Sequence, residues 1–259
     1  MAHTLYNVFF SPTRGTEAIT EKVAGAIAKD RNLSNLIINL TKPSKRPVPI
    51  SGEAGDVLVF GFPVYAGRVP TILMESIALL DGKGAAAVVV GVYGNRNYDD
   101  ALLEAADLLT MQGFNVIAAG AFVAEHSMTP RVGKGRPDRD DLSAAARFGH
   151  DIAALLKSGK HKMPSIKGNR PYRDGMPGAN TKPSTTEACT ACGICTRLCP
   201  MGIIDVAKPA KVGSGCLQCN ACVKECPENA KLFDAEGARK LVALLEGACM
   251  TRKEPELFL

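Results

Sequence analysis

Eight of the nine cysteines fall into two copies of one pattern. The first copy reads Cys189-x2-Cys192-x2-Cys195-x3-Cys199-Pro200; the second, 27 residues on (216 − 189), reads Cys216-x2-Cys219-x2-Cys222-x3-Cys226-Pro227. Three thiolates on one tight loop can cap three irons of a cubane cluster, while the fourth, displaced and followed by proline, points away to another cube. Crossed ligation is therefore expected, with Cys189, Cys192, Cys195 and Cys226 on one 4Fe-4S cluster and Cys216, Cys219, Cys222 and Cys199 on the other. Structural zinc takes four ligands, usually as two Cys-x2-Cys pairs, which leaves the third cysteine and the Cys-Pro of each run unexplained. A disulfide scaffold usually belongs to a short secreted domain, and the start, Met1-Ala2-His3-Thr4-Leu5, lacks a basic region followed by a hydrophobic one. Cys249 lacks the ligand spacing and reads as an ordinary thiol. The doubled pattern predicts a segment that carries electrons.

These cysteines occupy the last quarter of a 259-residue chain that is 46% hydrophobic, so a separate apolar domain should precede a small module whose core is largely inorganic. The longest apolar stretch, 85–93, is far too short for a membrane span, and a soluble, cytoplasmic protein is expected. The formal charge of +5 does not argue for nucleic acid. Each oxidised cubane with its four thiolates carries about two negative charges, so the basic excess reads as counter-charge. No zinc finger, RNA-recognition signature or long basic run is present.

Ahead of the cysteines, residues 5–10, 33–40, 56–60, 85–92 and 116–123 read as strands, several of them near-continuous apolar runs. Helical patterns alternate with them: Ile19, Val23 and Ile27 at spacing four, 70–80 with Pro70 in its first turn, 99–112, and 139–157. This predicts an α/β domain with a doubly wound, five-stranded parallel sheet. Ligands of such sheets bind beyond the carboxyl ends of the strands, where three glycine-containing polar loops should converge. The first loop offers hydroxyls at Ser11, Thr13 and Thr16, with Gly15 allowing close approach at a helix N-terminus that favours an anion. The second, opened by Pro63, and the third carry aromatic side chains, Tyr65 and then Tyr93 or Tyr98, able to stack on a flat ring. Backbone groups near Ala66, Gly67, Gly94 and Asn95 could bond the ring's polar edge. Asp99 and Asp100 read as the start of the next helix, and His126 as a loop histidine without a placed partner.

The first loop resembles the flavodoxin phosphate loop, which holds the phosphate of FMN, except that Arg14 stands where that family usually has glycine. The whole chain resembles bacterial fusions of a flavodoxin domain with a two-cluster ferredoxin, through Phe10-Ser11-Pro12-Thr13, Pro63-Val64-Tyr65-x-Gly67-Arg68-Val69-Pro70 and Gly94-Asn95-Arg96 as well as the cysteines. The resemblance implies an FMN-binding domain over 1–158, a Pro/Gly/Lys/Arg-rich linker over 159–186, and over 187–259 an α+β ferredoxin-like domain with two 4Fe-4S clusters and a C-terminal helix. It also implies electron transfer between FMN and the clusters in an anaerobe, with Arg14 able to pair with the phosphate. The expected partner is a redox protein or a small-molecule electron acceptor, with no nucleic acid and no membrane span. One rival is a small-molecule reductase with His126 or Tyr98 as proton donor; another is a flavin-free docking domain for the ferredoxin. A phosphorylated receiver domain is excluded by Phe60-Gly61-Phe62 where its aspartate would stand, and no Gly-x-Gly-x-x-Gly follows a strand.

Overall fold

The computed structural model describes residues 3–175 and 181–259. The expected linker, 159–186, therefore lies partly outside the described residues, as do Met1 and Ala2. In chain order the elements are β1 (Thr4–Phe9), α1 (Gly15–Arg31), β2 (Ser34–Asn39), β3 (Ile50–Ser51), β4 (Val57–Pro63), α2 (Met74–Ala78), β5 (Leu80–Asp81), β6 (Ala86–Tyr93), α3 (Ala101–Met111), β7 (Asn115–Val123) and α4 (Arg139–Ser158). The C-terminal part follows as β8 (Ser184–Thr185), α5 (Ile194–Leu198), α6 (Ala221–Lys224), β9 (Lys231–Leu232), α7 (Glu236–Ala248) and β10 (Glu256–Phe258).

Alternation along the strands sorts the core into two layers. Leu5, Val57, Val59, Val88 and Val90 pack with Ile19, Val23 and Ile27 of α1 and Phe148 and Ile152 of α4. Val8, Leu58, Phe60, Phe62 and Val89 face the opposite way, onto Leu102 and Leu109 of α3. Both faces of the central strands are thus covered, as a parallel sheet requires. The five parallel strands lie in the order β2-β1-β4-β6-β7, the 2-1-3-4-5 order of the flavodoxin-like doubly wound fold.

Two departures from the sequence reading matter for the site. The sheet has six strands, because β10, from the far end of the chain, pairs antiparallel with β7 through Glu256↔Ala121, Leu257↔Gly120 and Phe258↔Ala119. Without it the buried strand β7 would present an edge of unpaired backbone groups, and a three-residue run is too short to announce itself as a strand. The helix expected over 70–80 is broken into a 3-10 turn at Thr71–Leu73 and the short α2, since Leu80 and Asp81 leave it to pair with β3.

The described stretch 159–175 runs as a strap over α3. Asp100 accepts from the backbone N–H of Asn169 (2.8 Å) and Arg173 (2.7 Å), Asp107 accepts from Arg170 (2.7 Å) and from the Tyr172 hydroxyl, and the Arg68 guanidinium lies 5.1 Å from the Tyr172 ring centroid.

The cysteine-rich part repeats itself in backbone conformation as well as in sequence. Ala191 and Gln218, Gly193 and Asn220, and Gly202 and Asn229 are three pairs 27 apart (218 − 191, 220 − 193, 229 − 202), and all six residues have positive φ, from 50° to 72°. The short helices α5 and α6 start at equivalent places, so each cysteine run is wound into the same tight loop.

Candidate redox centre

Each loop brings its first three cysteines around a hollow and sends its fourth to the other. One hollow is lined by Cys189, Cys192, Cys195 and Cys226, with Pro209 and Lys231. The second is lined by Cys216, Cys219, Cys222 and Cys199, with Pro183, Ile204, Val212 and Asn220. Among the described residues no three cysteine sulfurs lie within 4.8 Å of one another, whereas four thiolates on a single zinc with bonds of about 2.3 Å would sit roughly 3.8 Å apart.

Other groups at the hollows fit an iron–sulfur core. The side-chain oxygen and nitrogen of Asn220 are buried without a partner in the wall of the second hollow, a costly arrangement unless a bound group supplies one. Backbone N–H groups already point at sulfur, from Gln218 to Cys216 (3.4 Å) and from Ala230 to Cys226 (3.3 Å), and such bonds tune cluster potentials. Burial pushes the Cys219 and Cys222 thiols up to about 12, so their thiolates need the positive counter-charge that iron provides.

A separate cleft of about 350 Å3 opens beyond the carboxyl ends of β1, β4, β6 and β7. Its walls include Thr13, Gly15 and Thr16 from the first loop, Pro63, Tyr65 and Ala66 from the second, and Tyr93 and Gly94 from the third. The N–H groups of Gly15 and Thr16, at the N-terminus of α1, have no acceptor among the described residues, while the next one, of Glu17, is taken by the Ser11 hydroxyl at 3.0 Å. Two open amides, two threonine hydroxyls and a helix dipole suit a phosphate, and Tyr65 and Tyr93 place aromatic side chains in the same wall.

The second loop is held by its own backbone. Tyr65 and Arg68 exchange N–H···O bonds of 3.1 Å across a turn with φ of 50° at Ala66 and 79° at Gly67. Both central residues are left-handed, which favours glycine, and a Cβ on Gly67 would also strike the Asp99 carboxylate at 2.3 Å. Desolvation, reinforced by the neighbouring Cys219, holds the Tyr65 phenol well above its usual value.

Five sequence candidates lie outside the cleft wall. Ser11 is buried as a helix-start acceptor. Arg14 takes φ 64° at the N-cap of α1, so the position where the family uses glycine does need a left-handed backbone, and its side chain is not in the wall. Gly67 serves the turn. Asn95 turns away from the cleft to donate to the carbonyls of Cys249 (2.7 Å) and Thr251 (2.8 Å) and to accept from Lys253 N–H at 3.2 Å. Tyr98 packs edge-on to Tyr93, ring centroids 5.7 Å apart, and its hydroxyl donates a hydrogen bond to Glu256 at 2.9 Å.

Residues beyond the expected cofactor contacts come from three directions, and one of them, His126, is a proton-donor candidate of the reductase rival. Arg96 and Arg173 flank it and both pair with Asp99. Glu125, His126, Ser127 and Met128 follow β7. Leu217 and Gln218 of the second cysteine loop and Leu241 and Leu245 of α7 roof it. The C-terminal helix was expected from sequence, but not what it packs against.

His126 Nδ1 accepts from the Met128 N–H at 3.1 Å, so the neutral ring carries its proton on Nε2. Its Cδ2 would lie 2.4 Å from a Cβ on Gly94, a close approach that only glycine permits. Burial, with Lys224 and Arg96 nearby, lowers its pKa to about 4. The folded chain therefore binds fewer protons than the unfolded one as pH falls below about 6.5, and this group weakens stability from there down to about pH 4. Nitrogen-15 NMR is expected to show the neutral Nε2–H tautomer down to about pH 5; a protonated ring at pH 6 would contradict the burial argument.

Residues 188–231 match the family model described as a 4Fe-4S dicluster domain. Among curated proteins none matches the chain. A flavodoxin from the domain Archaea aligns with 60% of this chain and 99% of its own at 18% identity and a TM-score of 0.42. The Streptococcus pneumonia TIGR4 flavodoxin aligns with 60% of this chain and 99% of its own at 21% identity and a TM-score of 0.39. A flavone reductase covers 64% of this chain and 66% of its own at 12% identity and a TM-score of 0.45. The chain joins a flavodoxin-like α/β fold, defined by its own strand order, to a 4Fe-4S domain, and its role is a redox one. Among the described residues no helix is long and apolar enough to cross a membrane.

Proposed function

We propose that the chain transfers electrons between two 4Fe-4S clusters, held by the crossed cysteine sets, and an FMN in the cleft, exchanging them with an external redox partner. Leu217 carries this reading, because its side chain lines both the second cysteine hollow and the cleft. Leu217 thus stands between the two, and Tyr65 on the cleft side is near enough to Cys219 to feel its charge. FMN would supply two-electron capacity against the single electron each cubane passes.

The chain's own residues hold the parts in register. Lys224 of α6 pairs with Glu125 beside the cleft at 2.6 Å, Arg131 pairs with Glu246 of α7 at 2.8 Å, and Arg46 donates to the Pro200 carbonyl while stacking over Phe10. Cys192 is exposed while Cys219 is buried, so the first hollow faces a partner and the second faces the cleft. Tyr98 is committed to Glu256 and His126 is neutral, which favours electron transfer over substrate protonation.

Cofactor analysis of protein purified without oxygen tests the reading. About eight irons and one FMN per chain are expected. Eight irons with no flavin, even after adding FMN, would leave a dicluster protein on a docking domain; fewer than about four irons would overturn the ligand assignment.

A further inference from the structure

Lys231 is 2% exposed and ranks among the largest fully buried side chains. Its ammonium donates to the Pro209 carbonyl (2.6 Å) and the Thr185 hydroxyl (2.7 Å), both neutral oxygens, and it forms no ion pair among the described residues. Burying a lysine without a carboxylate is costly unless another negative charge is close. In the hollow that Lys231 lines, the described groups that can carry negative charge are four thiols and the carboxylate of Glu228, which is exposed and forms no ion pair with Lys231. Lys231 stands in the wall of the hollow formed by Cys189, Cys192, Cys195 and Cys226, and its charge reaches Cys222 of the other set.

The backbone fixes this placement. Lys231 opens β9, paired with Thr185 of β8, while Thr186 N–H bonds to the Ala230 carbonyl at 2.9 Å. The ammonium is clamped from two sides by the strand partner and the 209 loop, and cannot swing to solvent without breaking both bonds. Each cubane is expected to be dianionic when oxidised and to gain one more negative charge on reduction. A fixed, desolvated cation favours the more negative state.

We propose that Lys231 is a positioning residue for electrons: its buried ammonium is the counter-charge of the cluster pair and raises the reduction potential, above all of the cluster held by Cys189, Cys192, Cys195 and Cys226. The inference rests on reading those cysteines as cluster ligands. It gives the chain a gradient, since the cluster nearest the cation holds an electron more tightly than its symmetry-related twin, where the equivalent position, 204 (231 − 27), is the apolar Ile204.

The test compares Lys231→Met, Lys231→Gln and Lys231→Arg in the full chain, by EPR-monitored redox titration of the intact clusters and by iron content. With iron at the parent level, Met and Gln are expected to lower the reduced-to-oxidised ratio of one cluster at least tenfold at the parent midpoint. That is a downward shift of about 59 mV for a one-electron couple. Arg should stay near the parent. Gln retains a hydrogen-bond donor without the charge, so a merely structural lysine would leave its potential unchanged, and that result would overturn the inference. If Met loses its clusters, Gln and Arg still decide between charge and clamp. A parent chain without iron would overturn the ligand reading itself, and this inference with it.

Discussion

Replacing Cys199 with alanine is expected to remove the cluster beside the cleft, although Cys199 belongs to the first cysteine run. Iron should fall from about eight to about four per chain, and reduction of the flavin through the clusters should be lost. Replacing Cys226 with alanine should cost as much iron but remove the outer cluster, leaving the cleft-side cluster able to reduce the flavin when a small reductant supplies electrons directly. The expectation follows from the walls of the two hollows, where Cys199 stands with Cys216, Cys219 and Cys222, and Cys226 with Cys189, Cys192 and Cys195. Iron analysis together with stopped-flow reduction of both variants checks it. If Cys199→Ala kept flavin reduction and Cys226→Ala abolished it, each run would be binding its own cluster and the crossed assignment would be wrong.

The sequence suggests a crossed grouping because the Cys-Pro of each run has no role in a local four-cysteine site, and the walls of the two hollows group the cysteines in that way; the sheet was legible because strands such as Ala86–Tyr93 are apolar on both faces. That the first loop would line the cleft was legible from its place after β1, and Thr13, Gly15 and Thr16 stand in the wall, although small hydroxyl residues at a helix start are also common as caps. What sequence could not show were contacts made across more than a hundred residues. Tyr98 sits in an aromatic loop of the right kind, yet Glu256 claims its hydroxyl; Asn95 sits in the right turn, yet the backbone at 249–253 claims its amide. No local pattern encodes either partner. Lys231 gives no signal for the same reason: in sequence it is one more lysine after a Cys-Pro, and only the fold places its ammonium in the wall of a hollow.

Those distant contacts give the C-terminal tail a role that composition alone would not assign. Asn95, 1% exposed, spends its side chain on Cys249, Thr251 and Lys253, and Arg136, buried against Asp141, also donates to the Lys253 carbonyl at 2.6 Å. Arg252 pairs with Asp138 at 2.6 Å, and β10 completes the sheet beyond β7. Together these tie down the end of α7, whose Leu241 and Leu245 roof the cleft. Deleting residues 251–259 strips all of them except the Asn95 bond to Cys249. At about 1 kcal/mol for each of three part-buried hydrogen bonds, the roof loses roughly 3 kcal/mol of docking free energy. The predicted result is FMN release faster by about a hundredfold, with iron content unchanged because no cysteine of either hollow is touched. Flavin fluorescence after dilution measures the release, and hydrogen exchange along α7 reports the opening directly. Parent-like release with α7 still protected would mean that Leu217 and the Lys224–Glu125 pair hold the roof unaided. In that case the tail would only cap the edge of β7.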